Sequence, residues 1–242
     1  MDRAATGRRR RPRTEAVRRR RAVLLLVLVW SVHLAAQLGG VAVLAGLTQV
    51  LAMPALAAVL WTSTSSPRGP LVRLALGALA LSWLGDSTPR IAPEEFSFLV
   101  MVVLFLGAQV VYACAFWPYR RRSLLARPVR AAPYLVAAAA IVLVCAPSAG
   151  ALLPAIAVYS AAIATMAVLA TGLGRIGAVG GAVFVVSDSL IALDAFGVLA
   201  LPAQGFWVMS TYLLAQLLLM AAVRRADAEL RPVRTRPPRT GR

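Results

Sequence analysis

The chain has 242 residues, of which 60% are hydrophobic and 14% charged, with a mean hydropathy of +0.76 and a formal net charge of +17. That much apolar surface exceeds what a soluble fold of this size can hide, which excludes an ordinary soluble enzyme or binding module. The charge does not point to nucleic acid either. All 26 basic residues are Arg; most cluster in two tails and a central loop, and the tails carry no aromatic platform for stacking bases.

The N-terminal stretch MDRAATGRRRRPRTEAVRRRR reads as a cytoplasmic topology signal and an anchor for anionic lipid. The following AVLLLVLVW resembles the start of a signal peptide, but the apolar run continues to Trp61 without a clear processing site, so it reads as retained helix. Residues 22–61 are too long for one span and fit two helices broken near Gly39 and Gly40. Further spans follow at about 71–85, 96–117, 131–146, 150–171, 176–196 and 202–223. The fold class is therefore all-α: a polytopic bundle of eight transmembrane helices over residues 21–224. Basic tails at 1–20 and 225–242 flank it and are expected to be disordered.

Arginine placement tests that count independently. With the N-terminus inside, both terminal clusters fall on the cytoplasmic side, as do Arg68, Arg73, Arg120, Arg121, Arg122, Arg127, Arg130 and Arg175. Only Arg90 falls outside. An even number of spans with both termini in the cytoplasm, in the cell membrane, follows from this pattern.

Polar residues within the spans carry the chemistry. A charged residue near the bilayer centre costs about 2.5–3.5 kcal/mol, so each one needs a reason. Asp86 ends the third span in LSWLGDSTPR, Asp188 lies in VFVVSDSLIALDAF of the seventh, and Asp194 follows near the outer end. At a rise of about 1.5 Å per residue, Asp188 and Asp86 sit near 18 and 22 Å from the cytoplasmic starts of their helices, so they can meet in the outer half. Two carboxyls held close in a low dielectric cannot easily both ionise, which leaves one able to act as an acid. Plainer readings stand beside this one. Asp86, followed by Ser87, Thr88 and Pro89, also fits a turn where the helix meets water, and Asp194 fits a solvated end.

Gln109 and Tyr112 are three apart, and Tyr212 and Gln216 four apart, so each pair shares a helix face; each also fits an interhelical hydrogen bond. His33 reads as a packed, hydrogen-bonded residue. Cys114 and Cys145, both in apolar runs, form neither a disulfide framework nor a metal site, and no cofactor is expected. Gly172-Leu-Gly174-Arg-Ile-Gly177 has dinucleotide-loop spacing but no βαβ context, and Gly177 with Gly181 has the spacing of close helix contact. Serine-hydrolase elbows, zinc-protease motifs and Walker sequences are absent.

On these residues the chain resembles the YhhN family of lysoplasmalogenase-like membrane proteins. Ser187-Asp188-Ser189 after Phe184 is similar to the family's seventh-span segment, Thr211-Tyr212 with Gln216 to its eighth-span signature, Gly85-Asp86 to its Leu-Gly-Asp element, and Met53-Pro54 to its second-span motif. It departs from the family at Gln49-Val50, in place of Lys-Pro, and at Gln109, in place of a His. The resemblance implies hydrolysis of the vinyl ether bond of lysoplasmalogen. Asp86 and Asp188 would be the acid–base pair, with Gln109, Tyr112, Ser187, Thr211, Tyr212 and Gln216 lining the lysophospholipid pocket. A small proton-coupled transporter and an inactive lipid-binding relative are the competing readings. A cavity open to one side favours an enzyme, and a two-sided path favours transport.

Overall fold

The computed structural model describes residues 11–91 and 93–230. All regular elements among them are helical. Eight long helices follow one another: α1 (Arg11–Leu38), α2 (Ala42–Ser63), α3 (Pro70–Ile91), α4 (Glu94–Phe116), α5 (Pro128–Ala149), α6 (Leu153–Ala170), α7 (Arg175–Ala195) and α8 (Gln204–Leu230). Short 3-10 turns fill most of the joints from α4 to α7. Six stretches are long and apolar enough to cross a bilayer, and one of these, Pro128–Leu173, contains both α5 and α6. Among the described residues α3 does not meet that criterion; it carries Arg73, Asp86 and Arg90. The protein is thus a multi-pass membrane bundle, and leucines and valines such as Leu28, Val43, Leu135 and Leu143 are exposed on its outside.

The breaks fall where the sequence places them. Gly40 takes a φ of +65° in the α1–α2 joint, a conformation that side chains with a Cβ adopt with strain. The tails are shorter than expected. Residues 11–20 and 225–230 belong to α1 and α8, because arginine is a good helix former and a helix already nucleated by an apolar span extends at little cost. The remainder of the expected disorder, at 1–10 and 231–242, lies outside the described residues.

Consecutive helices pack as hairpins, α1 on α2, α3 on α4 and α7 on α8, and α8 also touches α1, α2 and α3. Two details show how the sequence fixes this packing. Pro54 inside α2 cannot donate to the Val50 carbonyl, and the Trp83 indole of α3 does so instead at 2.9 Å, so the proline break becomes a link between helices. On α7, a Cβ at Gly177 would stand 2.3 Å from the Ala170 carbonyl oxygen, and one at Gly181 would stand 2.9 Å from the Ala167 Cα. The glycine pair therefore marks close approach of α6, as its spacing predicts. His33 is buried, with Nδ1 3.1 Å from the Ala45 carbonyl and 3.0 Å from Thr48 Oγ1. A carbonyl can only accept, so that nitrogen carries the proton and His33 ties α1 to α2.

Candidate active site

α3 and α8 face one another across two rungs one helical turn apart. In the deeper rung, Gln216 Nε2 donates to Ser82 Oγ at 3.3 Å, while Tyr112 of α4 donates its hydroxyl to Gln216 Oε1 at 2.7 Å. In the next, the Tyr212 hydroxyl donates to Asp86 Oδ2 at 3.0 Å. The spacings Ser82–Asp86 and Tyr212–Gln216 are both four residues, which is why the two rungs align. The Tyr212 ring is held between the ring edges of Phe105 and Phe184, with centroids 5.9 and 5.7 Å away.

Asp86 is not the turn residue that its neighbours allowed. α3 continues past it to Ile91, and within it Ser87 and Thr88 direct their hydroxyls back to the Trp83 and Leu84 carbonyls at 2.8 and 2.9 Å instead of forming a turn. The side chain is buried and faces α8 rather than water.

The second carboxylate is positioned by α6 and α7. Asp188 Oδ2 accepts a short hydrogen bond from the Tyr159 hydroxyl. Its neighbours spend their hydroxyls on backbone: Ser187, outside the cavity, donates to the Val208 carbonyl of α8 at 3.1 Å, and Ser189, which also lines the cavity, to the Val185 carbonyl at 2.7 Å. Serines flanking the carboxylate thus satisfy themselves on backbone and leave Asp188 to its tyrosine.

Both carboxylates line one cavity of about 570 Å³. Its polar contributors are few and convergent: Asp86, Asp188, Tyr159, Tyr212, Gln49 and Gln204 among them. The rest is largely apolar, from Phe98, Leu99 and Phe105 on α4, Ile141 on α5 and Ile156 on α6. α4 contributes from its first half (Phe98 to Phe105), α7 from its second (Val185 onward) and α8 from its first (up to Tyr212), while α5 contributes from Tyr134 to Ile141 and α6 as far as Ala164.

Of the residues expected to line a pocket, Tyr212 does so. Tyr112, Gln216, Ser187, Thr211 and Gln109 do not. Tyr112 and Gln216 build the rung beneath Asp86, Ser187 links α7 to α8, and Thr211 bonds back to the Trp207 and Val208 carbonyls of its own helix at 2.8 and 3.0 Å. Sharing a face with a site residue places a side chain one turn deeper, where packed helices leave no open space. Gln109 is fully buried beside Tyr159, with neither amide atom completing a hydrogen bond.

Tyr159, Gln49 and Arg90 were not foreseen at the site. Tyr159 had a signal in the sequence: a lone tyrosine inside an apolar span has a hydroxyl that must find a partner. Arg90 does not line the cavity but bonds to two residues that do: Nη1 donates to the Asp86 carbonyl at 2.9 Å and Nη2 to Gln49 Oε1 at 3.0 Å. Asp194 is exposed, as a solvated end requires, and also lines the cavity.

A family model described as the YhhN family matches residues 44–223, which hold every cavity side chain named above. No curated protein and no solved structure matches the chain.

Proposed function

This chain belongs to the YhhN family, and we propose that it is a membrane-embedded hydrolase cleaving the vinyl ether bond of 1-alkenyl lysophospholipids. The observation that carries the reading is the cavity itself: two carboxylates, each accepting from a tyrosine, face one largely apolar space of about 570 Å³. The reaction uses those parts in order. One carboxyl delivers a proton to the vinyl carbon remote from the ether oxygen, leaving an oxocarbenium ion. The other takes a proton from water as its oxygen bonds to the adjacent carbon, giving a hemiacetal. Collapse of the hemiacetal breaks the carbon–oxygen bond, releasing a fatty aldehyde and a glycerophospho-base, and the net consumption is one water. Tyr212 and Tyr159 hold the carboxyls in place, and the apolar lining takes the hydrocarbon chain.

The same proposal places the protein in the cell membrane with eight spans and both termini in the cytoplasm, which puts both carboxylates in the outer half. The arginine distribution supports that orientation, with anionic lipids as partners of the basic tails. Two carboxylates, each held by a tyrosine in one shared cavity, support an enzyme over a transport path. The test is aldehyde release from a 1-alkenyl lysophospholipid by purified protein in detergent. Asp188→Asn and Asp86→Asn should each abolish it while leaving the bundle folded, because Asn keeps the shape but cannot carry the proton. Wild-type protein that releases no aldehyde rejects the reaction. Full activity in either variant rejects the pair.

A further inference from the structure

We infer that Arg90 is a headgroup-binding residue that holds the phosphate of the lysophospholipid beside the cavity. This rests on the substrate reading given above and goes beyond it by naming the contact that selects a phospholipid over a neutral ether lipid. Arg90 is the arginine that the charge pattern leaves on the side opposite all others, so topology gives it no reason to be there. Its placement supplies one. It follows Asp86 by one helical turn, ~6 Å along the axis, and Asp86 lines the cavity.

The guanidinium is held rather than loose. Its Nη1 donates to the Asp86 carbonyl and its Nη2 to Gln49 Oε1, so two helices fix its plane. A bond to the carbonyl four residues back is what any arginine near a helix end can make; the second anchor on α2 is not. Room for it comes from Gly46, one turn from Gln49. A Cβ there would stand 3.0 Å from Nε and 3.1 Å from Nη2 of Arg90. A guanidinium has five N–H donors in a planar fork, and the two anchors use two of them. Three remain, and Arg90 is exposed beside the lining residues Asp86 and Gln49. Among the described residues no carboxylate closes an ion pair with it. A guanidinium that is anchored and keeps spare donors can receive phosphate oxygens.

The chemistry of the lipid matches this layout. Its vinyl ether oxygen and its phosphate are separated by three glycerol carbons, a reach of the same order as the single turn between Asp86 and Arg90. With the phosphate on Arg90, the vinyl group falls beside the carboxylates and the hydrocarbon chain beyond them, along the apolar lining of α4, α5 and α6.

Binding can be read without turnover by titrating a 1-alkyl lysophosphocholine, which has no vinyl bond to protonate, against the thermal stability of purified protein in detergent. Wild-type protein should bind it, and Arg90→Gln should weaken that binding by about tenfold or more, as expected for losing a charge-assisted contact. A 1-alkylglycerol of the same chain length should bind both proteins equally. Gly46→Val keeps the charge but fills the guanidinium's place, and should reproduce the loss. Equal affinity for the lysophospholipid in wild type and both variants overturns the inference. Inorganic phosphate stabilising wild type as strongly as the lysolipid overturns it too, by assigning the site to a free anion. The two readings fail separately. Arg90-dependent lysolipid binding without aldehyde release rejects the hydrolase alone, and aldehyde release with a KM indifferent to Arg90→Gln rejects the headgroup contact alone.

Discussion

Tyr212→Phe is the substitution that most directly separates the site from the packing around it. The change removes one oxygen, which donates to Asp86 Oδ2 at 3.0 Å, and leaves the ring between Phe105 and Phe184. Edge contacts with those rings depend on the ring and survive the change. A hydrogen bond to a charged group contributes about 1.5–3 kcal/mol, which corresponds to roughly ten- to hundredfold in rate if that bond orients Asp86 in the transition state. Tyr112→Phe is its natural control. That hydroxyl donates to Gln216 Oε1 at 2.7 Å one turn deeper, outside the cavity lining, so its loss orphans a buried acceptor at a cost of about 1–3 kcal/mol in stability. Aldehyde release and thermal unfolding in detergent should therefore move in opposite patterns. Tyr212→Phe should lose activity out of proportion to its melting shift, and Tyr112→Phe the reverse. Wild-type activity in Tyr212→Phe, with loss in Tyr112→Phe, would refute the assignment of the upper rung to catalysis.

Gly177→Ala should lower the melting temperature despite alanine's better helix propensity, because its Cβ would fall 2.3 Å from the Ala170 backbone oxygen and overpacking of this kind costs about 1–3 kcal/mol; an unchanged or raised melting point removes the close-contact argument. Reporter fusions after residues 68, 125 and 175 should report the cytoplasm and those near 92 and 200 the outside, while an outside signal at Arg242 contradicts an even number of spans. Gln109→His should raise aldehyde release, since it puts a titratable ring beside Tyr159 where a buried amide now has no hydrogen bond; no gain in rate would mean that Tyr159 needs no such partner.

What the sequence made legible, and what it hid, divides along a physical line. Information local to one helix could be read. Apolar runs located α1 to α8, glycines located joints such as that between α1 and α2, and the four-residue spacing of Tyr212 and Gln216 put both on one face of α8. The glycine pair on α7 could be read for the same reason, since a missing side chain is a local fact with a packing consequence. Information that depends on which helix lies opposite was hidden. Ser82 is an unremarked serine until Gln216 is placed against it, and Pro54 is a helix flaw until Trp83 is seen to serve the carbonyl it frees.

The same division explains the largest revision to the site. The tyrosine that holds Asp188 lies 29 residues away on α6, and no periodicity connects positions that far apart. The serines adjacent to Asp188 drew attention instead, yet each has a backbone carbonyl within reach of its hydroxyl, and only Ser189 joins Asp188 in lining the cavity. Hence Ser187 and Ser189 turn to backbone carbonyls while a distant side chain completes the carboxylate. Arg90 was hidden for the opposite reason. It was visible as an exception to the charge pattern, and an exception gains meaning only when Gly46 and Gln49 are found making room for it and holding it. In a membrane chain of this composition, a polar residue that breaks the topological rule is therefore the first to place in three dimensions, because the bilayer leaves it few positions other than beside a ligand or a partner.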